Sequence, residues 1–363
     1  MEFSGSANRT TFSEWQLTVL VMMSGMCGMY FYPENFGRWS LALLAAGIGI
    51  ALLSMSMLAR CFSGSQSMSF PALLRERLGY IPAKIILAAA AVYFISNICC
   101  IAVKQTQMTE FFLLEKTPPQ VIPAITLLTV CFIITSGIRQ VARTAELLFP
   151  AIILPLVFIL AMGLFCTDYG EMIPLLTSDN APTAFLPESL MPLGGISAAA
   201  YFAGYYDKSR LRRSLTGGTA ALSVFCVLIL LCCVGVFSIE GTKHLSFPLT
   251  ELSRVVSIGS ISLNHRFDIL YIMIYNAATL ITTGIMLYCC CVSLCGVFNV
   301  KSHSCFNFLL LPLIYTLSYL SLADDSIIRA ISAWGNAIFL PGLIPLIFIA
   351  TTFKKHREAK AKA

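Results

Sequence analysis

Residues 191–208 read MPLGGISAAAYFAGYYDK. The run is apolar enough for a bilayer, yet Pro192, Gly194, Gly195 and Gly204 lie inside it. These residues interrupt helices, so the segment is expected to break at membrane depth. Backbone freed in lipid is tolerated only where it lines a cavity or is buried in protein. A second stretch, MSGMCGMYFYP at 23–33, has the same character, with Gly25 and Gly28 in mid-span.

The meaning of the two stretches depends on how many spans surround them. Of 363 residues, 57% are hydrophobic and 12% charged, against about 25% charged in a soluble domain. A soluble protein so poor in charge could not cover its surface, so 1–363 reads as a single integral-membrane domain. Apolar runs of about 20 residues centre on 15–32, 39–59, 82–103, 119–136, 141–166, 186–206, 216–238, 268–298, 305–322 and 333–352. The breakable stretches are then the first and sixth of ten, as two five-helix halves of inverted topology would produce. The expected fold is all-α, with ten transmembrane helices in two inverted repeats, 15–166 and 186–352, and a basic tail at 353–363. The competing reading is that these glycines only let neighbouring helices pack closely.

Orientation follows from the basic residues, which are retained on the cytoplasmic side. With ten spans, one side collects seventeen of the 24 Lys and Arg, including Lys354, Lys355, Arg357, Lys360 and Lys362, and the other seven. Both termini are therefore expected in the cytoplasm. The polar start MEFSGSANRT does not resemble a cleavable signal peptide, and Trp15 suits a membrane interface.

The stretch CFIITSGIRQVARTAELLFP, 131–150, is then the cytoplasmic turn between spans four and five. Arg139 and Arg143 share a helical face, and Glu146 is within reach of Arg143. The turn is either an anchor with an internal ion pair or a gate whose charges pair elsewhere in one conformation.

The fourteen cysteines lie mostly inside spans, where Cys acts as a small apolar residue. No C-x-x-C pair, P-loop, G-x-S-x-G or H-E-x-x-H occurs. No metal, cofactor or nucleic-acid partner is expected, and an ATPase domain is missing. A ligand would sit between the broken spans, touching Gly25, Cys27 and Gly28. Tyr93 and Asn97 of span three, Tyr201, and Tyr275, Asn276, Thr282 and Thr283 of span eight would form its walls. Each polar residue has helix packing as its alternative role. Intramembrane carboxylates are nearly absent, which weakens the case for a proton-coupled pump. Lys104 is expected to snorkel to the outer surface.

The segments LLEKTPPQVI (113–122), SGIRQVARTAELLFPAIIL (136–154), MIPLL (172–176) and SFPLTELSRVVSIGSISLNHRFDILYIMIYNAATLI (246–281) resemble the spore germination permeases, the B subunits of GerA-type nutrient germinant receptors. The likeness covers nearly the whole chain. It departs from the pattern in its cysteine richness and in its first break, SGMCGMYFYPEN. The resemblance implies a LeuT-like fold of the amino acid–polyamine–organocation transporters and the sensing of a small nutrient, typically an amino acid. It implies the inner membrane of a bacterial endospore, with A-type and C-type receptor subunits as partners. A secondary transporter of amino acids or related amines is the second class, and an enzyme, lacking a catalytic set, a distant third.

The charge bias makes a topological prediction. A reporter fused after Lys355 should score as cytoplasmic and one inserted within 168–185 as external. Both reporting from one side would refute the ten-span arrangement.

Overall fold

The computed structural model describes residues 13–27, 40–63, 69–114, 116–167, 170, 190–206, 208–255, 267–300, 304–350 and 352. All regular structure among them is helical. The first half holds α1 (Glu14–Met26), α2 (Ser40–Ser63), α3 (Phe70–Leu78), α4 (Tyr80–Phe112), α5 (Val121–Thr135) and α6 (Ile138–Phe165). The sixth segment is composite: α7 (Met191–Gly194), a 3₁₀ turn (Gly195–Ala198), α8 (Ala199–Phe202) and a second 3₁₀ turn (Ala203–Tyr205). Then follow α9 (Leu211–His244), α10 (Pro248–Val255), α11 (Phe267–Phe298), α12 (Ser304–Leu320) and α13 (Ser326–Ile338), which runs into a π turn (Phe339–Leu343).

Six helical stretches are long and apolar enough to cross a membrane: Leu41–Ser63, Tyr80–Phe112, Ile138–Phe165, Leu211–Thr242, Ile269–Phe298 and Ser326–Ala350. α5 and α12 are shorter and apolar. Each of the ten expected spans contains helix among the described residues. Two differences stand out. α3 lies between spans and was not anticipated. The last span starts at Ser326, so Arg329 sits inside it rather than before it.

Polar side chains sort the helix ends onto two faces. On one, Gln16 Nε2 donates to Glu146 Oε2 at 2.8 Å and Arg210 pairs with Glu14 at 3.1 Å, so α1, α6 and α9 begin together. On the other, Lys104 pairs with Asp325 at 3.8 Å, joining late α4 to the start of α13. Lys104 therefore has a carboxylate partner as well as a path to the surface. α1 starts cleanly because Ser13 and Gln16 form a reciprocal capping box.

The bundle centres on α4 and α11, which pack along one another and are the most buried of the long helices. Their contact surfaces carry small side chains. Cys290 Sγ donates to Ala91 O at 3.7 Å, and Cys289 Sγ to Ala198 O at 3.9 Å. The thirteen cysteines described are all free thiols, twelve of them buried. They serve as small apolar residues with a weak donor.

The first broken stretch ends its described helix at Met26, with Cys27 as cap. Gly28 lies outside the described residues, as do the 353–363 tail and residues 168–169 and 171–185 between the fifth and sixth spans. The other stretch does not unwind; it tightens into 3₁₀ geometry at Gly195–Ala198. The reason is a backbone crossing: a Cβ on Gly195 would collide with the Ser24 carbonyl of α1. Gly218 of α9 approaches α1 similarly, where a Cβ would lie 2.9 Å from the Thr18 carbonyl oxygen. Two other glycines serve conformation. Gly79 (φ +92°) and Gly137 (φ +84°), ahead of α4 and α6, have no atom within 4 Å of where a Cβ would stand.

Overpacking a tight contact costs about 1–3 kcal/mol, whereas Gly→Ala in an open helical position gains about 0.5–1 kcal/mol. Gly195→Ala should therefore lower the thermal midpoint of the detergent-solubilised protein. Gly217→Ala, with nothing within 4 Å of the added methyl, should hold or raise it. Equal midpoints for the two would disprove the crossing.

Candidate ligand site at the helix crossing

The crossing brings carbonyls of α1 to the centre of the bundle. Thr282 Oγ1 donates to Met23 O at 2.6 Å. Cys27, the other candidate at this end of α1, caps the helix. Gly25 is part of the crossing, its Cα 2.9 Å from where a Cβ on Gly195 would stand. A Cβ there would collide with the Leu222 side chain, so its small size admits α9.

Beside the crossing lies a second cluster. The Tyr93 hydroxyl is 2.6 Å from Asn336 Oδ1, 2.8 Å from Gly194 O and 3.0 Å from Ser197 Oγ. With one proton to give, it donates to Asn336 Oδ1, the shorter of its two carbonyl contacts, and accepts from Ser197. Asn97 Nδ2 donates to Tyr93 O at 2.9 Å, while its Oδ1 accepts from Ser332 Oγ at 3.0 Å. The Tyr93 ring stacks on Phe339, with centroids 5.1 Å apart and planes at 13°. Two glycines make room: a Cβ on Gly335 would strike the Tyr93 ring, and one on Gly194 would strike the Asn336 amide.

Ser332, Asn336 and Ser197 were not among the sequence candidates. The signal was there: Ser332 and Asn336 are four apart, one face of a helix, with Gly335 beside them.

The remaining candidates stand elsewhere. Tyr201 does not close the wall with Thr282 and Thr283; its hydroxyl is 2.6 Å from Ser293 Oγ, and Ser293 donates to Cys289 O. Asn276 Oδ1 accepts from Gln105 Nε2 at 2.7 Å, and Asn276 Nδ2 donates to Ile272 O. At 1.5 Å per residue, Asn276, Thr282 and Ser293 mark levels about 9 Å and about 16 Å apart along α11. Tyr275 and Thr283 are buried, at 5% and 2% exposure.

No charged residue is buried among the described residues. The interior polar groups are hydroxyls, amides and thiols, able to hold a small polar molecule by neutral hydrogen bonds. At the bundle face, Glu146 is engaged by Gln16 of α1 instead of Arg143, 130 positions closer to the start of the chain. The local ion pair expected there does not form among the described residues. A carboxylate part-way into the membrane face takes the nearest desolvated donor, while Arg143 and Arg139 stay exposed to solvent or headgroups.

Comparison with known proteins adds five findings. The spore permease family model, described as spore germination protein, matches residues 36–326. Spore germination protein YndE of Bacillus subtilis (strain 168) is 24% identical over 258 residues, 70% of each chain. Spore germination protein B2 of the same organism is 23% identical over 189 residues, 51% of this chain and 50% of that one. Among solved structures, MhsT in complex with L-phenylalanine superposes with a TM-score of 0.68 at 17% identity, covering 95% of this chain and 89% of the other. A Na⁺-coupled sialic acid symporter in a substrate-bound outward-open state gives 0.65 at 14% identity, covering 94% and 78%. These likenesses give the chain a LeuT-like transporter fold.

The Tyr93 hydroxyl serves several buried partners at once, so removing it should be felt. Tyr93→Phe should destabilise the protein by about 1–2 kcal/mol, read as a lower thermal midpoint in detergent. Tyr80→Phe removes only an exposed bond from Asn299 Nδ2, 2.8 Å long, and should change little. A Tyr93→Phe midpoint equal to that of Tyr80→Phe would refute the shared role.

Proposed function

The chain belongs to the spore germination permease family and is an integral membrane protein, and from that premise we propose that it is the membrane subunit of a nutrient germinant receptor. It binds a small nutrient, an amino acid, where α1 crosses the α7 segment, and occupancy triggers germination. The observation that carries this reading is the uncharged polar cluster at the crossing. Asn336 Oδ1, the Gly194 carbonyl and Ser197 Oγ all lie within 3.0 Å of the Tyr93 hydroxyl. Thr282 holds the α1 carbonyls alongside. A zwitterion suits such a site, because carbonyl oxygens at the end of α1 favour its ammonium group and neutral N–H and O–H groups donate to its carboxylate. The fold neighbour solved with L-phenylalanine supports the choice of an amino acid.

On this reading the two repeats, 15–166 and 186–352, enclose the ligand, with both termini cytoplasmic and Arg139 and Arg143 anchoring the turn. The protein sits in the inner membrane of the spore beside A-type and C-type receptor subunits. A second reading, a secondary transporter of amino acids or related amines, is favoured by the transporter fold neighbours. The lack of a buried carboxylate among the described residues leans against proton coupling.

Titration calorimetry of the purified protein against single L-amino acids should give saturable binding to at least one. Proteoliposomes should then take up that amino acid, radiolabelled, no faster than empty liposomes under a Na⁺ or proton gradient. Gradient-driven uptake would favour the transporter, and binding to none of the amino acids would sink both readings.

A further inference from the structure

The geometry points to Asn336 as the group that receives the carboxylate of the bound ligand, and so as the residue that separates amino acids from amines lacking that group. The inference rests on the reading above, that the ligand sits at the crossing. Asn336 is 1% exposed. Its Oδ1 is occupied by the Tyr93 hydroxyl, but its Nδ2 is fully buried with no hydrogen-bond partner. A buried donor left unpaired costs about 1–3 kcal/mol, and native structures keep such groups where they have a use. The amide lies against Gly194, where the chain passes from α7 into the 3₁₀ turn at Gly195. One residue further along, Gly195 touches the Ser24 carbonyl of α1. The unpaired N–H therefore stands at the crossing itself.

Two further features hold it there. Tyr93 fixes the oxygen side of the amide, which leaves the nitrogen side as the free one. One turn on, the helix of span ten widens into the π turn Phe339–Leu343. Pro341 lacks an N–H and would clash with the Ala337 carbonyl in regular α geometry. The widening absorbs this, and Ser54 Oγ donates to Leu340 O at 2.8 Å. Such turns recur at functional sites. No Lys or Arg is buried among the described residues, so a carboxylate arriving here meets neutral donors, and Asn336 Nδ2 has no partner of its own to give up. A hydrogen bond to a charged acceptor contributes about 1.5–3 kcal/mol, or about tenfold or more in affinity.

The test compares L-alanine, L-valine and L-phenylalanine with their C-terminal amides, by calorimetry on the full-length protein and on Asn336→Asp and Asn336→Leu. Asn336→Asp keeps an oxygen for the Tyr93 hydroxyl but loses the N–H. The wild type should bind the acid over the amide, and both variants should shrink that ratio about tenfold or more. A monodisperse variant that keeps the wild-type ratio overturns the inference while leaving the receptor reading intact. So does a wild type that binds acid and amide equally, whether or not either variant folds. A wild type that binds no amino acid overturns the receptor reading and this inference with it.

Discussion

The structure depends on one contact in which two backbones meet with no side chain between them. Gly195 lies directly on the Ser24 carbonyl. In lipid there is little hydrophobic drive to bring helices together, so close approach and hydrogen bonds across helices do that work. The crossing uses both: glycine lets the chains touch, and Thr282 ties the neighbouring Met23 carbonyl at 2.6 Å. Gly218 brings α9 onto the same helix from another side. α1 is thereby gripped through its own backbone by elements from the second half of the chain. The 3₁₀ tightening of the α7 segment follows from the same contact.

The interior polar groups divide into two populations. Many hydroxyls are satisfied within their own helix, as Thr106 is by Ala102 O and Thr219 by Leu215 O. These add no tertiary information. A smaller set reaches across helices: Tyr93 to Asn336, Ser332 to Asn97, Gln105 to Asn276, Tyr201 to Ser293, Asn307 to Cys131. Three of these five pairs involve α4, which is why the third span organises the bundle and why the site gathers on it. None of the five contains a charge, so the helices are held without the desolvation penalty that buried ions would bring.

Much of this was legible in the sequence, because apolar run length and glycine placement act locally. The span positions and the first–sixth pairing follow from those two signals, Cys27 lies in the first break, and Tyr93, Asn97 and Thr282 stand out as polar residues inside apolar spans. The misses have physical reasons. Glycine looks the same whether it permits unwinding or close packing, so Gly25 was assigned to the ligand although Leu222 fills its space. For Glu146 the sequence leaves open Arg143, three residues away, or a partner in another segment; the folded chain offers Gln16, and a contact over 130 positions leaves no periodic trace. Tyr201 went to Ser293 because the height of a residue along a neighbouring helix depends on packing. Asn336 was overlooked because the apolar residues around it dominate span ten.

Gly79 and Gly137 carry a consequence of their own. Both stand in open space, yet both hold φ values, +92° and +84°, that L side chains rarely adopt. Their constraint is one of chirality. A side chain there would meet no neighbour and would still strain the backbone, since the penalty arises between its own Cβ and the adjoining peptides. Alanine would gain nothing from the vacancy, and asparagine, which tolerates the left-handed helical region, would fare no better, because ψ near 180° at both positions belongs essentially to glycine alone. Two positions that any measure of crowding would rank as freely variable are thus among the narrowest in the chain, and they stand at the starts of the third and fifth spans.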